Sequence, residues 1–260
     1  MINSYWGERA VKAQAALTSK NIKQTEKQLK LYYSSSMQNI LDNFEKVYLK
    51  IFEDISKGKE ATPADLYKLD TYWQLQYQLK EELQKLGDKQ ASLLSKKFVK
   101  QFQDIYDSLA IPGSSMFNEI DRGLVEQMIN SIWVADGKSW SQRIWTNTER
   151  LAEVLNEHLI HSVAIGQKPG ELKKLLQEEF GVSYRAADSL VRTEMAHIQT
   201  QAAQKRYQDY GIKEVEVLVD EDERTCPICA KLEGKRYPVN ATMPVPSHPR
   251  CRCTVIPVVE

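Results

Sequence analysis

A mainly α-helical fold, closed by a small C-terminal α+β module, is what this sequence predicts. Three observations carry that reading. Apolar residues recur at three- and four-residue intervals over most of the chain up to Tyr210, the pattern of helices with one buried face. Alternation then sets in at Val215, Val217 and Val219, the period of a half-buried strand. Every cysteine lies beyond those valines, at Cys226, Cys229, Cys251 and Cys253. The organisation expected is a helical N-terminal region over 1–111, a helical middle segment over 112–182, and a C-terminal module over 183–260 made of a long helix, a small hairpin and a Cys/His site.

The elements follow in order. Ile40, Phe44, Val47, Ile51 and Ile55 form one apolar stripe, which Leu41, Tyr48 and Phe52 widen. Thr62 and Pro63 read as N-cap and first residue of the next helix, whose stripe runs through Leu66, Leu69, Tyr72, Leu75, Leu79, Leu83 and Leu86. Gly87 predicts a break, and a further helix carries Leu93, Leu94, Phe98, Phe102 and Ile105. "AIPGSSMF" is a loop. Helix resumes in "NEIDRGLVEQMINSIW", and "VADGKSW" turns into a helix capped by Ser139 or Ser141 and ended by Gly166. A short helix is expected from Pro169 to Gly181, then a long one capped by Ser183 and stopped by Gly211. After strand "IKEVEVLVD" come turns, a hairpin-like "KLEGKRYPV" and a last strand, "CTVIPVV".

Composition bounds the function. Hydrophobic residues make up 42% and charged residues 27%, too apolar for wholesale disorder. Formal net charge is zero, without the electrostatic signature of a dedicated DNA binder. No long apolar run can span a membrane, and the N-terminus lacks the apolar core of a signal peptide. A cytoplasmic site of synthesis is expected, where thiols stay reduced and cysteine clusters serve as metal ligands more often than as disulfides.

The C-terminal segment has few large aliphatics, and segments of that kind need a staple. Cys226 and Cys229 are spaced C-x2-C, His248 and Cys251 repeat the interval, and Cys253 follows. Paired ligands on either side of a short hairpin are the logic of a structural zinc site, in which a turn points two thiolates at one ion. Tetrahedral zinc takes four of these five. The first choice is Cys226, Cys229, His248 and Cys251; Cys253 in place of His248 is the alternative. Reduced core cysteines or a disulfide are the competing readings.

No catalytic constellation accompanies the cysteines. The zinc-deaminase pairing with H-x-E is absent, as are H-E-x-x-H, phosphate-binding glycine loops and G-x-S-x-G. Glu194 and His197 are i,i+3 neighbours on a helix; a polar contact to the cysteine module suits them better than acid–base work. His158 and His161, similarly spaced, lack further ligands and read as a partly exposed face. Asp222, Arg224 and Thr225 precede the first thiol and are suited to turn formation and to bonding the thiolates.

Taken together, "LVRTEMAHIQTQAAQKRYQDYGIKEVEVLVDEDERTCPICAKLEGKRYPV" and "PVPSHPRCRC" strongly resemble the C-terminal signature of phage minor head proteins, the Mu F-like head morphogenesis family. The matching elements are Arg192, Thr193 and Glu194 on their helix, "YGI" from Tyr210, "DERTCPIC", "LEGKRY" and "HPRCRC"; the likeness extends from about Ile132 to Pro257. The resemblance implies a structural minor capsid protein rather than an enzyme. Such a protein associates with the portal and other head proteins during assembly and aids DNA packaging or ejection. It implies a place in the virion, in the capsid interior or at the portal vertex, after assembly in the bacterial cytoplasm, with no membrane and no small-molecule substrate. Some family domains are fused to ADP-ribosyltransferase toxins; the signature's position directly before Glu260 leads us to expect no such domain here. Two alternatives stand beside this reading. One is a nucleic-acid-binding module using Lys235, Arg236, Arg250 and Arg252. The other is a metal-dependent hydrolase built on Glu194, His197 and the metal.

Overall fold

The computed structural model describes residues 2–56, 70–110, 120–219 and 225–259; the side chains of 2–10, 13, 51, 52, 54–56 and 71 are not described. Thr62, Pro63, Leu66, Leu69, Asp222, Arg224, the loop from Ile111, and the side chains of Ile51, Phe52 and Ile55 therefore lie outside the described residues. The elements are α1 (Ile2–Ser56), α2 (Asp70–Ser108), α3 (Arg122–Ile129), α4 (Trp140–Ala164), α5 (Pro169–Asp209), β1 (Glu214–Leu218), α6 (Pro227–Ala230), β2 (Arg236–Pro238) and β3 (Thr254–Pro257). The fold is mainly helical with a small C-terminal sheet, as the two periodicities predict.

The chain forms two compact units that interleave along the sequence. One comprises Lys27–Ser92 and Ser141–Asp188; the other comprises Met1–Glu26, Leu93–Trp140 and Ser189–Glu260. In the first, the predicted stripes meet. Ile40, Phe44 and Tyr48 of α1, Leu75, Leu79 and Leu83 of α2, Leu155 and Leu159 of α4 and Leu176 of α5 share one core. Tyr48 on that core is bonded: its Oη donates to the carbonyls of Ser162 (3.0 Å) and Gln167.

Three local expectations are corrected here. Gly87 does not break a helix; α2 runs through it. A Cβ at Gly87 would fall 2.8 Å from Cη2 of Trp145, so the glycine is needed for close approach of that indole. Gly181 does not close a helix and Ser183 does not cap one, because α5 is continuous from Pro169 to Asp209. Ser183 is buried inside it, its carbonyl and hydroxyl both taken by the Asn147 amide at 3.0 and 2.9 Å. Side-chain packing of this kind outweighs the local cost of a mid-helix glycine, about 1 kcal/mol. Where turns are real, the glycines hold positive φ: Gly166 at 63°, Gly211 at 72° and Gly234 at 69°. α4 begins at Trp140, so Ser139 takes the flanking position and Ser141 lies inside.

In the second unit, α1 shows a different inner face. Gln14, Thr18, Asn21 and Thr25 are buried at helical spacing. They join a hydrogen-bonded ladder: Thr254 Oγ1 donates to Gln14, Gln199 Nε2 donates to Gln14 (3.1 Å), Thr18 donates to Gln199 (2.7 Å), Gln101 donates to Thr18 (2.6 Å) and Asn21 donates to Gln101 (2.8 Å). A fully satisfied polar seam fixes register where an apolar one would slip.

The sheet has order β2–β1–β3, antiparallel throughout. Val215 faces Tyr237, and Val217 faces Val255. Val215, Val217 and Val255 turn inward onto Ala203 and Tyr207 of α5, beside Cys229, Cys251 and Cys253. The sheet thus presents the cysteines on the side where α5 packs.

Candidate metal centre

Cys226 opens α6 as its N-cap. Its Sγ accepts the Cys229 N–H at 3.3 Å, and Pro227 occupies the first helical position, where no N–H is missed. One helical turn thereby sets both sulfurs of C-x2-C on one side. The second half is a tight turn. Cys251 N–H donates to the His248 carbonyl (3.2 Å), and Arg250 holds a left-handed φ of 60°. The His248 ring faces the Pro249 carbonyl with Nδ1 (2.8 Å), which fixes the proton there and turns Nε2 toward Cys229 Sγ at 3.2 Å, where it could ligate an ion.

All five expected ligands come together, in two overlapping groups that share Cys229. Ligand atoms of Cys226, Cys229 and His248 lie within 4.8 Å of one another, and so do those of Cys229, Cys251 and Cys253. No disulfide joins the four cysteines. Cys229 Sγ is 3.7 Å from Cys251 Sγ. Zinc–sulfur bonds of 2.3 Å at tetrahedral angles require sulfurs about 3.8 Å apart, so this edge is already the right length. The cluster can hold a metal ion.

The thiols are electrically unequal. Cys226 is drawn below the ordinary thiol value, mainly by the Cys229 N–H donated to it. Burial pushes Cys229 up. Cys251 falls to about 5, chiefly because the Cys253 thiol donates to it, and Cys253 rises in turn. His248 is raised, first by the Pro249 carbonyl, then by the thiolates around it. Thiolate character, the form that binds metal, therefore concentrates at Cys251 and Cys226.

The α5 residues act around this centre. Thr193 Oγ1 accepts the Arg250 N–H (3.1 Å), pinning the His248–Cys251 turn to the helix, and Arg192 pairs with Glu26. The polar contact expected of Glu194 and His197 is made elsewhere. Trp133 Nε1 donates to the buried Glu194 carboxylate (3.0 Å), and the Trp133 ring stacks on His197 at 4.1 Å. Burial pushes His197 down to about 4, so it is neutral. His158 is half-buried against Glu179 (3.3 Å) and His161 is exposed, as the sequence predicts. Thr225, Cys226, Cys229, His248 and Cys251 line one groove of about 820 Å3, whose other wall is α1 from Val11 to Glu26. Trp133 and Ser247, whose hydroxyl lies 3.2 Å from Cys229 Sγ, were not singled out by sequence. A lone serine next to a predicted ligand was the one available signal.

The fold and its cysteine cluster define a helical protein with a small C-terminal module able to hold a metal ion. Residues 153–256 match the family model described as Phage Mu protein F like protein, which supports a phage head family for this segment. A curated relative, named NAD(+)--arginine ADP-ribosyltransferase EFV, from Enterococcus faecalis (strain ATCC 700802 / V583), is 27% identical over 144 residues. That alignment spans 48% of this chain and 29% of the relative's length. No solved structure matches the chain.

Proposed function

We propose that this protein is a structural minor head component of a tailed phage or prophage, bound to the portal while the head assembles. The match of residues 153–256 to the phage Mu protein F-like family carries the reading. The transferase named in the relative belongs to a protein of which 29% is aligned, so the shared segment is read here as a structural part and this chain as a non-enzyme. The metal is zinc, held by Cys226, Cys229, His248 and Cys251, and its task is to fix the C-terminal turn against α5 through Arg250 and Thr193. Arg192, through Glu26, and Glu194 and His197, through Trp133, hold α5 itself in position. The nucleic-acid alternative is weakened at Arg236, which is paired with Glu216 at 3.0 Å.

Co-expression with the portal protein of the same phage tests the role. The chain is expected to co-sediment with portal rings or procapsids, and to lose that property when residues 212–260 are unfolded by chelation. Failure to co-sediment while zinc is bound would remove the assembly role and leave the metal reading standing. Turnover of NAD(+) with an arginine acceptor by the purified chain would overturn the non-enzyme reading.

A further inference from the structure

The five ligand side chains make two triads with one shared sulfur, and the triads differ in chemistry. Cys226, Cys229 and His248 offer two sulfurs and an imidazole at a half-open edge. Cys229, Cys251 and Cys253 offer three sulfurs, each at most 4% exposed, and no nitrogen or oxygen. We propose that the second triad is a separate binding mode for a soft monovalent cation, copper(I), exclusive with zinc because both need Cys229.

Coordination preference supports the assignment. Thiolates select copper(I) among soft ions, whereas divalent zinc completes a tetrahedron and accepts imidazole. Three sulfurs around one ion in a plane, with bonds near 2.3 Å, sit about 4 Å apart. Cys229 and Cys251 are at 3.7 Å, and the whole triad lies within 4.8 Å. It can therefore close on a trigonal ion with small side-chain rotations. A zinc tetrad needs more movement, since Cys251 is grouped with Cys253 and not with the Cys226–His248 pair. The local fold keeps the two modes distinct. Cys251 and Cys253, two apart in the segment before β3, bring their sulfurs together beside Cys229, while His248 approaches Cys229 from the preceding turn. Bond formation here is ligand exchange: each thiol that coordinates gives its proton to water, and no electron moves.

This inference rests on reading the cluster as a metal site, though not on zinc as its occupant. The test uses the full chain, anaerobically, with copper(I) supplied as its acetonitrile complex in competition with bicinchoninate. One copper(I) per chain is expected, with X-ray absorption showing three sulfur neighbours and no nitrogen. Cys253→Ser should weaken copper(I) at least about 100-fold and leave zinc within a few fold. His248→Ala should do the reverse. If Cys253→Ser also fails to take zinc, the variant is misfolded or Cys253 is itself a zinc ligand, and the sulfur count on the wild-type chain decides alone. A nitrogen in the copper shell, loss of copper(I) affinity in His248→Ala, or zinc and copper bound together would overturn the proposal. Zinc failing to bind while the copper results hold would sink the zinc reading only.

Discussion

The core around Phe44 and the module around Cys229 meet the same requirement with different material. The first buries Phe44, Tyr48, Leu75, Leu86 and Leu155 on long helices. The second buries valines of strands only three to five residues long together with cysteines from α6 and the turn before β3. Each large side chain fully buried contributes roughly 1.5–3 kcal/mol, so the helical core is self-sufficient. Valines on short strands bury much less, and a metal held by the cysteine cluster would supply what they lack. The same C-x2-C turn that is a weak structure alone becomes a strong one when four side chains share an ion. That contrast predicts that the two regions fail independently and by different insults.

The sharpest break is removal of the shared sulfur. Cys229 belongs to both triads, so Cys229→Ser, or a strong chelator on the wild-type chain, should forfeit metal-binding free energy on the order of 10 kcal/mol. Loss of β-sheet signal and of hydrogen-exchange protection from residue 212 onward is expected, with protection of the Phe44 core unchanged. Equal loss in both regions would refute their independence. The converse is Phe44→Ala. Its side chain is 2% exposed, and truncation should cost about 3–5 kcal/mol in the helical core while zinc affinity stays the same. Urea unfolding monitored alongside zinc titration distinguishes the two.

How far the sequence foretold each region follows from the range of the interactions. Apolar periodicity is local, and it placed Ile40, Phe44, Leu79 and Leu83 in the core. The ligand pairs are local too: a three-residue interval in a turn can only aim two sulfurs one way. What escaped were contacts made at a distance. Trp133 meets Glu194 and His197 from more than sixty positions away, and nothing in its own neighbourhood signals a partner. The seam of Gln14, Thr18 and Asn21 looks like an exposed polar face until Gln101 and Gln199 supply its hydrogen bonds. Cys229 as the hinge of two triads is a tertiary fact of the same kind.

His197 offers a pH test confined to the unit that holds the cysteine module. Burial against Trp133 lowers it from 6.5 to about 4. The unfolded chain therefore takes up a proton first as pH falls. Stability is full above pH 6.5, declines between 6.5 and 4, and is flat below, with a total loss of about 3 kcal/mol from this residue. His197→Phe keeps a ring against Trp133 and removes the titrating group. The wild-type minus variant difference in urea stability, in which pH effects common to both proteins cancel, should carry this slope; the same slope in both proteins would assign it to other groups.

The smallest effect separates packing from propensity in the helical core. By helix propensity alone, Gly87→Ala in the interior of α2 should stabilise by about 1 kcal/mol. The structure predicts the opposite sign. The new methyl would overlap the Trp145 ring, an aromatic wall that yields only by displacing its helix or its own rotamer, at a cost of about 1–3 kcal/mol. Trp145→Ala opens the space, so in that background Gly87→Ala should recover its intrinsic gain. A double-mutant cycle read by urea unfolding isolates the coupling, because each single change removes or adds one face of the same contact. Stabilisation by Gly87→Ala in the wild-type background would mean that the indole does not press on the helix, and the close approach that keeps α2 unbroken would have to be abandoned as the reason for a glycine at this position.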